Sequence, residues 1–68
     1  MSDFGERVRQ LRLKKDMSQE DLANTADIPI NQVGRIERGE INTTLVTIKA
    51  LADALDKNIV ELFMFESL

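Results

Sequence analysis

Residues 18–39 decide the fold: Ser18-Gln19-Glu20-Asp21-Leu22-Ala23-Asn24-Thr25-Ala26-Asp27-Ile28-Pro29-Ile30-Asn31-Gln32-Val33-Gly34-Arg35-Ile36-Glu37-Arg38-Gly39. Ser18 is a good helix N-cap and Asp21 follows three residues later, so a helix begins here. Leu22, Ala23 and Ala26 supply its inner face. Asp27 then breaks the pattern, because Asp tolerates the left-handed conformation better than most residues, though less well than Gly. A second helix begins near Pro29, which lacks an N–H and is accepted in a first turn. Val33 and Ile36 face inward and Gly39 ends that helix. Gly34 inside it costs up to ~1 kcal/mol relative to Ala. Two short helices joined by the few residues around Asp27-Ile28-Pro29 have helix-turn-helix geometry.

The flanks read the same way, with apolar residues recurring at three- and four-residue spacing and no segment alternating for long. A helix from about Asp3 to Lys15 carries the stripe Phe4, Val8 and Leu11, with Asp3 and Glu6 as a capping-box-like pair. Lys14 and Lys15 suit its negative end or are simply solvated. Met17, just before the Ser18 cap, can pack back as a staple. After Gly39, a helix from about Thr44 to Leu55 carries the core stripe Leu45, Ile48, Leu51, Ala52 and Leu55. A fifth runs from about Asn58 to Phe63, and Ile59-Val60-Glu61-Leu62-Phe63-Met64-Phe65 is the most apolar stretch in the chain. The expected fold class is all-α: five short helices in one domain spanning 1–68.

A chain of 68 residues is one domain, and its core is marginal. It contains neither Cys nor His, so disulfides, thiolate metal sites and the usual general base are excluded. No Gly-rich phosphate loop or metal constellation stands in for them, and no enzyme, cofactor or metal is expected. No apolar run approaches the ~20 residues of a membrane span, and Met1 to Glu6 lack the features of a signal peptide. A cytoplasmic protein is expected. The net charge of −3 is unevenly placed. Residues 1–38 carry seven basic and seven acidic side chains, whereas residues 39–68 carry two basic and five acidic ones. A surface for a polyanion therefore belongs to the N-terminal half.

The stretches Ser18-Gln19-Glu20-Asp21-Leu22-Ala23, Ile28, Val33-Gly34-Arg35-Ile36-Glu37-Arg38-Gly39 and Leu51-Ala52-Asp53-Ala54-Leu55 together resemble the Cro/CI-type helix-turn-helix proteins of phage repressors and restriction-modification controllers. The likeness covers about residues 4 to 63. It implies a compact, lambda-repressor-like DNA-binding domain whose second and third helices form the helix-turn-helix. It also implies a transcriptional regulator, a repressor or a controller, acting on double-stranded DNA. Gln19 matches a glutamine that clamps a DNA phosphate, which suits an amide at a helix N-terminus; the plainer reading is an ordinary first-turn residue. Ile30, Asn31, Gln32 and Arg35 match the outward positions of a recognition helix in the major groove. Asn and Gln can pair with adenine, Arg with guanine, and Ile can touch a thymine methyl; the plainer reading is a solvated face. Gly34 permits either close packing or a close approach to DNA. Arg38, Asn42, Thr43 and Thr44 match a loop that touches backbone phosphates, although Asn42 to Thr44 also suit capping of the fourth helix. Arg12 and Glu37 match an ion pair tying the first helix to the third. The chain departs from the family pattern at Asp27, where Gly is usual, at Pro29, where a small polar cap is usual, and at Ile30.

The apolar tail has two readings. Ile59, Leu62 and Phe63 can complete the monomer core. Ile59, Val60, Phe63, Met64 and Phe65 can instead form a dimer interface, with residues 58–68 as the contributing segment, since an exposed apolar cluster marks an interface. A two-fold homodimer would place two recognition helices about one DNA turn, ~34 Å, apart on a palindromic operator. No small-molecule ligand is expected. A function of another class, an antitoxin or protein-interaction module on the same fold, competes with DNA reading. The outward side chains of the third helix discriminate, since an interaction helix would carry larger apolar anchors.

Overall fold

Residues 3–40 and 43–64 are described by the computed structural model of the protein; Asn42, Phe65 and Leu68 lie outside them, as does the side chain of Asp3. Five helices follow one another: α1 (Asp3–Lys14), α2 (Gln19–Ala26), α3 (Ile30–Glu37), α4 (Leu45–Ala54) and α5 (Ile59–Leu62). Among the described residues there is no strand. The starts follow local chemistry. Ser18 accepts from the Asp21 N–H while Asp21 accepts from the Ser18 N–H, and Asn58 and Glu61 repeat that reciprocal cap at α5. Thr44 accepts from the Thr47 N–H at the start of α4. Pro29 takes the cap position of α3, one residue earlier than a first-turn proline, and offers no side-chain bond there.

Four helices end in the same device. After α2, the Ile28 N–H bonds the Ala23 carbonyl and the Asp27 N–H bonds the Asn24 carbonyl, with Asp27 left-handed at φ 60°. The same pair of bonds closes α1 around Asp16 (φ 58°), α4 around Asp56 (φ 58°) and α3 around Gly39 (φ 73°). This is the Schellman arrangement, which satisfies carbonyls that the helix leaves orphaned. It accounts for the sharp reversals that let helices this short fold on one another.

The core gathers Val8 and Leu11 from α1, Leu22, Ala23 and Ala26 from α2, Val33 and Ile36 from α3, Leu51, Ala52 and Ala54 from α4 with Leu55 at its end, and Leu62 from α5. A fully buried Leu or Val contributes about 1.5–3 kcal/mol, and six large side chains here are fully buried. Phe4, Met17, Ile28, Ile48 and Ile59 pack around them, half-buried. α3 is held between α2 and α1, while α4 backs α2 and carries α5. One member of the expected α4 stripe departs from it: Leu45 is 74% exposed, and its neighbour Val46 80%. Leu45 occupies the first turn, ahead of the stripe formed by Ile48, Leu51, Ala52 and Leu55, and the described residues do not cover it. α1 ends at Lys14, one residue short of the expectation, a normal difference at a helix end.

The tail divides. Leu62 is fully buried and Ile59 half-buried in the core, whereas Val60, Phe63 and Met64 remain exposed. Phe63 stacks on Phe4, with ring centroids 5.0 Å apart, so it also buttresses α1.

Candidate nucleic-acid interface

α3 is clamped from one side so that its other side can be presented. Val33, Gly34, Ile36 and Glu37 are buried. Gly5 of α1 lies so close to the backbone of α3 that an added Cβ would run into the Ile36 carbonyl oxygen and reach 2.7 Å from that of Glu37. Only a glycine allows this approach. The sequence reading passes over Gly5; the signal was a glycine inside a helical stripe, which disfavours the helix and so asks for a packing reason.

Beside that contact lies the one buried ion pair among the described residues. Arg12 Nε donates to Glu37 Oε2 at 2.7 Å and Nη2 donates to Oε1 at 3.0 Å, a fork-to-fork geometry. Arg12 Nη1 donates to the Met17 carbonyl at 2.9 Å, and Gln19 Nε2 donates to Glu37 Oε1 at 3.1 Å. The pair expected to join the first and third helices therefore also fixes the Gln19 amide at the start of α2. Gln19 is half-buried rather than free at the surface. Its amide lies beside Gly34, where an added Cβ would stand 3.6 Å from Gln19 Oε1 and 3.1 Å from Arg38 Nη1. Gly34 thus leaves room for two polar side chains that cross above it.

The opposite side of α3 carries Asn31, Arg35 and, at its C-cap, Arg38, all exposed, with Gln32 half-buried at the flank. At 3.6 residues per turn these three stand nearly in line. Ile30 is 50% exposed, but it lies about 100° round the helix from Asn31, at the leading end rather than within the row. Arg38 is engaged by a residue that the sequence reading leaves out. Its Nε donates to Glu40 Oε2 at 2.7 Å and its Nη2 to Oε1 at 3.4 Å. The hydrogen bond and the charge of Glu40 raise the Arg38 pKa above its already high value. The Arg38 hydrogen bond holds the Glu40 carboxyl below the usual range, helped by the charges of Arg38 and Arg35. Beyond the loop, Thr44 is exposed and spends its hydroxyl on the cap of α4. The Thr43 hydroxyl is buried and has no partner among the described residues, so it faces away from any ligand in solvent.

Among the described residues no group of three or more His, Cys, Asp or Glu side chains could hold a metal, and no helix is long and apolar enough to cross a membrane.

The family model described as Helix-turn-helix matches residues 8–62. Control protein C.BamHI of Bacillus amyloliquefaciens is 45% identical over 53 residues, which are 76% of this chain and 65% of that protein. Control protein C.SmaI of Serratia marcescens is 36% identical over 65 residues, 96% of this chain and 77% of that one. Among solved structures, the restriction-modification controller protein C.AhdI from Aeromonas hydrophila superposes with a TM-score of 0.89 at 48% identity, over 90% of this chain and 92% of that chain. The all-α helix-turn-helix expectation agrees with these likenesses.

Proposed function

This chain belongs to the helix-turn-helix family of DNA-binding transcription regulators, and from that premise we propose that it works as the control protein of a restriction-modification system, binding a palindromic operator as a homodimer in the cytoplasm. The observation that carries the reading is the outward row of α3. Asn31 and Arg35 in that row and Gln32 at its flank offer the amide and guanidinium donors that base edges accept, on a helix whose inner side is locked by Gly5 and the Arg12–Glu37 pair. Ile30, at the leading end, meets a thymine methyl. Gln19 and Arg38 hold the flanking phosphates, together with Asn42 from outside the described residues, and exposed Thr44 joins them when its O–H turns from Thr47 while its oxygen keeps the α4 cap. Thr43 leaves the contact set, because its hydroxyl is buried. No cofactor or catalytic step is needed.

The interface between copies lies on the α5 end. Val60, Phe63 and Met64 are exposed there and Ile59 is half-buried against the core; Phe65, outside the described residues, belongs to the same proposed interface. Three exposed large apolar side chains within five residues are the kind of cluster that marks an interface. The same cluster is what favours a second reading, a module that binds another protein.

Selection from random duplex DNA by the purified protein tests the proposal. Enrichment of a palindrome with half-sites about one helical turn apart is expected. Gln32→Ala and Arg35→Ala should each cost about 1–3 kcal/mol at one operator position. A folded dimer that enriches no sequence would overturn the operator reading and leave the protein-binding one.

A further inference from the structure

We propose that Glu40 restrains sequence-independent DNA binding, acting as a built-in phosphate mimic that occupies the Arg38 fork until a duplex displaces it. The inference rests on the reading that Arg38 contacts a backbone phosphate, and it assigns a role to a residue outside that contact set.

The geometry is that of a carboxylate standing where a phosphate would stand. Glu40 takes Arg38 Nε and Nη2 together, at 2.7 and 3.4 Å, and those are the two donors a guanidinium uses to grip a phosphate side-on. The remaining nitrogen, Nη1, lies over Gly34. A phosphate reaching this edge of Arg38 must therefore take the place of Glu40. Glu40 is not a loosely tethered neighbour. Its N–H donates to the Arg35 carbonyl at 2.8 Å, the closing bond of the helix end around Gly39. Met17 and Ile28 hold the equivalent position after α1 and α2, and both tuck into the core. At the end of α3 the same position is filled by an acid that stays exposed and turns to the arginine. Its charge also reaches Arg35.

The pair itself adds little to folding, since both side chains are at least half-exposed. Its consequence is for binding. Non-specific affinity comes almost entirely from cations that release condensed counterions from phosphates. An arginine already neutralised by a fixed carboxylate contributes less to that, and the displaced carboxylate is left close to the phosphate backbone. In a chain with no net positive charge in either half, this keeps sequence-independent binding weak. A regulator must ignore a vast excess of competing sites, and base contacts then decide where it stays.

The test compares Glu40→Gln with Asp53→Asn, which changes the net charge equally at an exposed site paired with Lys49 on α4. Binding of each to a labelled duplex of random sequence is measured by fluorescence anisotropy across a salt series, alongside Arg38→Ala and the Arg38→Ala/Glu40→Gln double variant. Glu40→Gln should bind about three- to fivefold more tightly than Asp53→Asn, the worth of one exposed ion pair. Its affinity should also fall more steeply with salt, by up to about one in the log–log slope. Most of that gain should vanish when Arg38 is absent. Equal binding by Glu40→Gln and Asp53→Asn would overturn the inference, and so would a gain that persists undiminished without Arg38. If Arg38→Ala alone binds as the parent does, the phosphate role of Arg38 falls instead. Unchanged melting curves for Glu40→Gln and Arg38→Ala check that the fold is intact.

Discussion

Two arginine–glutamate pairs sit at the C-terminal end of α3, and the closest contact in each is the same 2.7 Å. Arg12–Glu37 joins α1 to α3 with side chains 9% and 3% exposed, whereas Arg38–Glu40 spans the end of α3 at 58% and 50%. Distance does not separate them; solvent does. The buried pair has lost its water and replaced it with the Met17 carbonyl and the Gln19 amide. Every group there depends on the others, because a charge left alone in such a place is costly. The exposed pair gives up little when it opens, because water or another anion can stand in. One chemistry therefore serves two ends: the inner pair fixes where α3 sits, and the outer one leaves an arginine that can change partners.

Truncating each arginine gives the largest contrast. Arg12→Ala should destabilise folding by about 3–5 kcal/mol, since Glu37 would stay buried without its partner. Arg38→Ala should leave stability nearly unchanged, because its partner is exposed to water. Thermal or urea unfolding of the two variants under one condition measures both. Equal losses would mean that burial does not distinguish the pairs. An Arg12→Ala variant that melts like the parent would remove the inner pair from any part in the fold.

Gly34 lies between the two pairs and sharpens the contrast. Methyl groups at Gly5 and at Gly34 meet different obstacles: backbone carbonyls at Gly5, and the side-chain ends of Arg38 and Gln19 at Gly34. A side-chain tip can move aside where a carbonyl of a packed helix cannot. Gly34→Ala should therefore leave stability unchanged or raise it by up to about 1 kcal/mol through helix propensity. The same change should weaken DNA binding, because Arg38 Nη1, 3.1 Å from the new methyl, would have to shift, while Gln19 Oε1 at 3.6 Å stays in ordinary contact. Melting and anisotropy on one preparation test this. A variant that loses stability and keeps its DNA affinity would show Gly34 to be a packing glycine only.

The parts of this arrangement that were legible in the sequence are those set by neighbours in the chain. Ser18 with Asp21, Thr44 before the α4 stripe, the break at Asp27 and the stop at Gly39 each act through bonds to residues a few positions away. Gly5 showed as a glycine inside a helical stripe, but what it packs against was not legible, because its partner is the backbone of α3, more than thirty residues on. Leu45 matched the helical period of the core and still stayed outside it, since periodicity gives direction and not what lies opposite. Asp16 and Asp56 adopt the conformation of Asp27 without being singled out, as acids among other charged residues give little sign of a left-handed turn. Of the candidate site, the family likeness supplied Asn31, Gln32, Arg35 and Arg38 as positions. It gave no sign that Gln19 is tied to Glu37 or that Arg38 is already engaged by Glu40.

A third pair extends the comparison at the low end. Lys15 Nζ meets Asp56 Oδ2 at 2.7 Å and links the turns that close α1 and α4, yet Asp56 is largely exposed. The Lys15 hydrogen bond, followed by the Lys15 charge, lowers the Asp56 pKa below the usual 3.8. A carboxyl with a depressed folded-state pKa stabilises the fold above its unfolded value and loses that contribution as pH falls through the folded one. Asp56→Asn keeps a residue that tolerates the left-handed turn and removes only the charge. The variant should melt slightly below the parent at neutral pH, and the gap should close as the pH is taken down below 3.8. Added salt at neutral pH should narrow the gap as well, because exposed charges are screened. Other carboxylates titrate in both proteins, so the difference between the two isolates Asp56. A gap that stays constant from neutral to acid pH would mean that Asp56 acts through its turn and not through Lys15, and the Lys15 contact would then add nothing to the joining of α1 and α4.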